Sequence, residues 1–156
     1  MINLISRKLI SASISSCVFA LIYSFFVPYN MGTPFQFKTL DGFIYAIIHA
    51  IPTYLLYAFP VIIIYGTITS LISEYIVYNI FKFTNLRESK ILKMFFLGIF
   101  HLIFGSVLSY ISLLAALLFF LIDQWLSHKR EDYNWVSACI SFLIPIFFYF
   151  TLMFFT

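Results

Sequence analysis

Charge is scarce in this 156-residue chain: Asp, Glu, Lys and Arg make up 10% of it, against about 25% in an ordinary soluble domain. That scarcity excludes a soluble fold, because 63% of the residues are hydrophobic and a globular domain of this length leaves about 30% of its unfolded surface in water. Glycine is scarce too, and no two of the five glycines are separated by a single residue. This excludes phosphate-cradling and dinucleotide-binding loops. The three histidines form no His-Glu-x-x-His, there is no Gly-x-Ser-x-Gly, and no pair of intramembrane aspartates occurs. The two cysteines, Cys17 and Cys139, lack metal-ligand spacing. No cofactor motif is present, and the short polar connections leave no room for a soluble active site, so the chain reads as a non-enzyme. A basic stripe with interleaved aromatics is also missing, which argues against nucleic acid as a partner.

What the chain has is length of apolar sequence. A membrane helix needs about 20 apolar residues, and four stretches meet that requirement. The expected architecture is an all-α polytopic membrane protein, one domain over 1–156, with spans at about 9–29, 43–66 (helical extension to 82), 94–122 and 134–155. The first run is longer than the 7–15 residues of a signal-peptide core and lacks a small-residue cleavage site, so it is read as an uncleaved helix. Gly42 to Phe81 would make about 60 Å of helix, twice the hydrocarbon core. Two arrangements fit: a tilted helix that extends beyond the bilayer, favoured here, or a span ending near Gly66 followed by an interfacial helix. The second and third spans together read as an overlong hairpin.

Six Lys and Arg flank one side in this arrangement: Arg7, Lys8, Lys82, Arg87, Lys90 and Lys93. Three flank the other: Lys38, Lys129 and Arg130. The positive-inside rule then places both termini in the cytoplasm of a cell membrane. Trp125, Tyr133 and Trp135 mark an outer aromatic belt, and Tyr75 and Tyr78 an inner one. The cysteines approach from opposite sides and are read as unpaired, buried small residues. A preference for Phe, Ile, Tyr, Leu and Lys over Ala, Gly and Arg points to an AT-rich bacterial genome.

Small residues let helices approach in lipid. Gly98, Gly105, Ser109, Ser112 and Ala116 fall at spacings of 7, 4, 3 and 4, one packing face of a single third helix, and Asp123 continues it. Ala46, Thr53, Pro60, Thr67 and Glu74 form a stripe on the second helix, Ser13, Cys17, Ala20 and Ser24 on the first, and Ser137, Ser141 and Pro145 on the fourth.

Ionisable groups inside a span are costly and usually partnered. If helices two and three form an antiparallel hairpin about residue 86, positions equidistant from the turn lie level. His49 then faces Asp123, and Glu74 lies level with Gly98, one turn from His101. Two acid–histidine pairs are therefore expected, His49 with Asp123 and Glu74 with His101. They serve either as interhelical hydrogen bonds or as a proton-coupled element.

Tyr65-Gly66-Thr67-Ile68-Thr69-Ser70, the long second and third helices, and the charged turn Arg87-Glu88-Ser89-Lys90 resemble a family of small four-span membrane proteins of spore-forming Gram-positive bacteria. That resemblance implies membrane location and topology and no mechanism. Two functions are compatible with the sequence. One is a partner-binding or accessory membrane protein, whose cytoplasmic basic turn (Lys82, Arg87, Lys90, Lys93) can engage anionic lipid or a protein. The other is a small transporter or channel that works as a homo-oligomer through the acid–histidine pairs.

Overall fold

Backbone amides and carbonyls in hydrocarbon must find partners within their own segment, which leaves helices as the only open-chain solution. The computed structural model, which describes residues 2–28, 39–84, 89–129 and 132–155, is helical throughout these stretches apart from short connections. The helices are α1 (Ile2–Phe26), α2 (Leu40–Val61), α3 (Thr67–Thr84), α4 (Lys90–Leu108), α5 (Tyr110–Lys129) and α6 (Trp135–Phe155), with one π-helical turn, Ile62–Gly66, joining α2 to α3. Together α2, the π turn and α3 form one 45-residue run, about 67 Å long at 1.5 Å per residue. The helical run is continuous through Gly66. The wide turn follows Pro60, and its Gly66 lets the Phe119 ring approach to 3.4 Å of the position a Cβ would take.

Five helices, not four, are long and apolar enough to cross a membrane. The difference arises in the expected third span. It divides at Ser109, whose backbone is fully extended (φ −174°, ψ 169°), and α5 turns back beside α4. The break has a local cause. The Ser109 hydroxyl accepts from the Ser112 amide at 3.3 Å, and the Ser112 hydroxyl accepts from the Ser109 amide at 3.0 Å. This reciprocal arrangement is a capping box, which starts a new helix. The Ser112 hydroxyl also donates to the Gly105 carbonyl near the end of α4.

The small-residue stripe of the third span is therefore not one face of one helix. It is folded onto itself, with Gly105 against Ala116 and Ser112, and Gly98 against Phe120. The two glycines differ in tolerance. A Cβ on Gly105 would lie 2.6 Å from that of Ala116, whereas one on Gly98 would meet the Phe120 ring at an ordinary 3.4 Å. Gly98→Ala is expected to be neutral or to stabilise by up to ~1 kcal/mol, the helix-propensity gain of alanine over glycine. Unfolding from mixed micelles measures it.

α1 is the most buried of the five and packs against α2, α5 and α6. Its serines explain this. Ser6, Ser11, Ser13, Ser15, Ser16 and Ser24 are all buried, small enough to admit neighbours on every side. Ser13, Ser15, Ser16 and Ser24 return their hydroxyls to carbonyls three or four residues back, so these donors need no acceptor on other helices, while the Ser11 hydroxyl is shared between the Arg7 carbonyl and an acceptor on α5.

α6 runs parallel to α1. Asn3 Nδ2 donates to Asp132 at 2.8 Å, Ser141 donates to Ser13 at 3.3 Å, and Phe148 packs near Ala20. The start of α1 and the end of α6 are consequently at opposite ends of the bundle, in contrast to the expectation of two termini on one side. Trp125, Tyr133 and Trp135 share the end where α1 begins, together with Tyr75 and Tyr78, so the two expected aromatic belts fall at one end. Cys17 is half-buried and Cys139 is exposed rather than buried; both are free thiols. On the other stripes, Ala46 and Thr67 are buried while Pro60 is exposed, Ser137 is engaged with Asn134, and Pro145 is fully buried.

Candidate functional site

Four charged side chains meet where α1, α3 and α5 converge. Lys8 Nζ lies 2.6 Å from Asp123 Oδ2 and 2.6 Å from Glu74 Oε1. Arg7 donates through Nε to Asp123 Oδ1 at 2.9 Å and through Nη2 to Glu74 Oε1 at 3.0 Å. A further contact from Nη2 reaches Asp123 Oδ2 at 3.4 Å, and the Ser11 hydroxyl donates to Asp123 Oδ1 at 3.3 Å. Each acid touches both bases, and the quartet is formally neutral. Lys8 and Asp123 form its inner pair, each 1% exposed, while Arg7 and Glu74 are 19% and 22% exposed. The arrangement answers the cost of burying charge: a group that would be prohibitive alone in lipid is met by an opposite charge at hydrogen-bond distance.

Helix geometry brings these groups together. Arg7 and Lys8 are adjacent on α1, so their side chains leave at about 100° to one another; one long side chain reaches α5 from each direction while both reach Glu74 on α3. Asp123 arrives at the same depth only because α5 turns back at Ser109. Had the third span continued straight, Asp123 would lie at the far end of the bundle.

This overturns the His49–Asp123 pair. His49 sits in the half of α2 nearest its start, with Nδ1 2.9 Å from the Tyr45 carbonyl and its ring 3.8 Å from that of Tyr45. The Glu74–His101 pair is replaced as well, by a displacement of one turn. The buried His101 has Nδ1 2.8 Å from the Leu97 carbonyl and Nε2 3.0 Å from the Ser70 hydroxyl. Ser70 stands one turn before Glu74, and Glu74 is held by Arg7 and Lys8. The expected antiparallel register of α3 with α4 nonetheless holds: Ser70 meets His101, and Val77 and Phe81 cluster with Leu97 and Phe96.

Sequence reasoning treats Arg7 and Lys8 as flanking charges that only orient the chain. A signal for their role is present in it all the same. Glu74 stands in apolar sequence and Asp123 at the edge of it, both require cations, and Arg7-Lys8 follows Ile2-Asn3-Leu4-Ile5-Ser6, enough residues before the two bases for the helix to begin ahead of them.

The quartet has an open side. A pocket of about 350 Å³ between α3, α4 and α5 is lined by Arg7 and Glu74 and by Lys90, Lys93, Gln124, Ser127 and His128. Of the expected basic turn, Lys82 is exposed on the last turn of α3, Lys90 and Lys93 line this pocket, and Arg87 lies outside the described residues. Further in, between the π turn and the α4–α5 hairpin, a cavity of about 40 Å³ is lined by Tyr65, Gly66, His101 and Phe119. Tyr65 closes one wall by donating to the Phe104 carbonyl at 2.8 Å. No family model, curated protein or solved structure matches the chain, and the resemblance noted at Tyr65-Gly66-Thr67-Ile68-Thr69-Ser70 gains no support from these comparisons.

Proposed function

We propose that this chain is a non-enzymatic multi-pass protein of a bacterial cell membrane that acts as an accessory subunit, by binding a protein partner within the bilayer. The observation that carries the reading is where its polar chemistry is used. The four buried charges neutralise one another, the hydroxyls of Ser11, Ser13, Ser15, Ser16 and Ser24 bond to their own backbone, and His101 bonds to Ser70 and Leu97. These groups hold helices together. The outward faces meanwhile carry large apolar side chains, among them Ile140, Leu143, Phe147, Phe150 and Phe154 on α6, and a partner or a second copy can pack there. Affinity capture of the tagged chain from gently solubilised membranes should recover a partner in fixed ratio; recovery of a lone monomer would contradict the reading.

The charge distribution supports an orientation. Arg7, Lys8, Lys82, Lys90, Lys93 and Lys129 belong to the end where α1 starts, and Arg87 and Arg130 fall in sequence between helices that meet there. All six Lys and Arg among the described residues thus lie at one end, and Lys38 stands in sequence between α1 and α2. Five crossings give a stronger bias than four, and by the positive-inside rule the α1 end faces the cytoplasm. The terminus after α6 then faces outward. Alkaline phosphatase fused after α6 should be active in a bacterial host, and the same enzyme fused ahead of α1 inactive.

A second reading, a small transporter working as an oligomer, is favoured by the pocket that reaches Arg7 and Glu74. It no longer rests on acid–histidine pairs. Glu74→Gln should then abolish flux in proteoliposomes, and unchanged flux would count against it.

A further inference from the structure

The pocket beside the quartet adjoins a second depression. Ile91 and Met94 on α4 belong to its wall and also to the wall of an apolar groove of about 350 Å³ that continues along α4 past Gly98 and Leu102, with Phe120 of α5 as its floor. One polar and one apolar compartment therefore share a rim. The groove exists because Gly98 has no side chain: the Phe120 ring comes to 3.4 Å of the missing Cβ.

The polar compartment favours an anion. Lys90 and Lys93 make no ion pair among the described residues. Arg7 uses Nε and Nη2 on the quartet, with Nη1 left over. Glu74 also lines the pocket, but Arg7 and Lys8 answer its charge. Gln124, Ser127 and His128 complete the polar lining. The two lysines also occupy the first turn of α4, where the helix dipole is positive and no acidic residue offsets it. Cations there are unfavourable until an anion is bound.

We propose that the pocket between α3, α4 and α5 holds the phosphate headgroup of an anionic phospholipid, with one acyl chain of that lipid lying in the groove along α4. Lysines at a helix end sit at headgroup depth, where each attracts anionic lipid, and a groove running from that level toward the bilayer centre is where an acyl chain must go. The inference rests on the helices crossing a bilayer and does not depend on which protein partner the chain serves.

The test uses the full chain in detergent, with melting temperature and native mass spectrometry as readouts. Probes are dioleoylphosphatidylglycerol, dioleoylphosphatidylcholine and inorganic phosphate. The expected result is one phosphatidylglycerol retained per chain, with a higher melting temperature than in phosphatidylcholine alone. Lys90→Gln with Lys93→Gln should weaken retention about tenfold or more. Lys82→Gln, equally basic but outside the pocket, should change nothing. Gly98→Leu, which fills the groove, should also release the lipid, each variant being compared with its own melting in phosphatidylcholine. If inorganic phosphate reproduces the stabilisation and Gly98→Leu leaves it intact, the site is one for a soluble phosphate and the lipid assignment is overturned. Equal loss on Lys82→Gln would overturn it too, by reducing the effect to surface charge, as would retention of neither probe.

Discussion

Asp123→Asn lowers the stability of the folded bundle by about 3–5 kcal/mol, the range found when one partner of a buried ion pair is removed. The amide is nearly the same size as the carboxylate it replaces, so the loss is electrostatic. Lys8, 1% exposed, would lose a carboxylate at 2.6 Å. Glu74 would then be asked to balance both Lys8 and Arg7, leaving one uncompensated positive charge among three helices. The same reasoning predicts the compensating change. Lys8→Met alone leaves a net negative site and is destabilising. Lys8→Met with Asp123→Asn removes one charge of each sign and leaves Arg7 paired with Glu74 at 3.0 Å. The double variant should recover most of the loss, because a buried pair contributes little beyond what a well-packed apolar replacement would. Denaturation in mixed micelles, run as a double-mutant cycle, reads the coupling directly. Additive losses would mean that the two side chains do not meet.

Gly105→Leu should produce the other large effect: failure of the α4–α5 hairpin to close. Even one added carbon at this position would lie 2.6 Å from Ala116 Cβ and 3.3 Å from the Ser112 carbonyl oxygen, and the second of these is backbone that cannot turn aside. Gly105→Ala should cost about 1–3 kcal/mol, as overpacking does in close-packed interiors; a leucine adds three more carbons to the same space. Displacing α5 also displaces Asp123, so Gly105→Leu should share the phenotype of Asp123→Asn though it changes no charge. Protease cleavage at the turn, together with the unfolding midpoint, separates an opened hairpin from a merely weakened one. The small effect expected at Gly98, on the same helix and two turns earlier, is the internal control.

Hydrophobic patterning is sufficient to identify helices and lipid as their solvent. The charged segment at 82–93 locates the α3–α4 turn well enough to place Ser70 opposite His101. Both failures of the sequence reading come from serine. Ser109 and Ser112 look like two more members of a packing stripe, because small residues at helical spacing serve equally to admit a neighbour and to cap an end. Only the Ser-x-x-Ser spacing, with each hydroxyl on the other's amide, distinguishes the two, and in an uninterrupted apolar run of this length it carries little weight. Once the turn at Ser109 is missed, the number of long apolar helices and the level of Asp123 follow wrongly, as does the expectation that α1 starts and α6 ends at the same end of the bundle. The serines of α1 conceal the other feature. A helix with buried hydroxyls spread over most of its circumference lacks the narrow apolar-or-polar stripe of an outer span, and its central position, with Arg7 and Lys8 turned inward, is settled by packing rather than by periodicity.

A cysteine pair at Asn3 and Asp132 tests the central claim, that the chain doubles back at Ser109 and so brings α1, α3 and α5 to one level at the quartet. These residues are hydrogen-bonded at 2.8 Å at the exposed end of the bundle, and neither belongs to the quartet. With Cys17 and Cys139 replaced by alanine, mild oxidation of intact membranes should link positions 3 and 132 rapidly and reversibly by reductant, and should not link 49 to 123. A straight third span would put positions 3 and 132 on opposite faces of the bilayer. No link between them, with a link formed instead between cysteines at 49 and 123, would contradict the account.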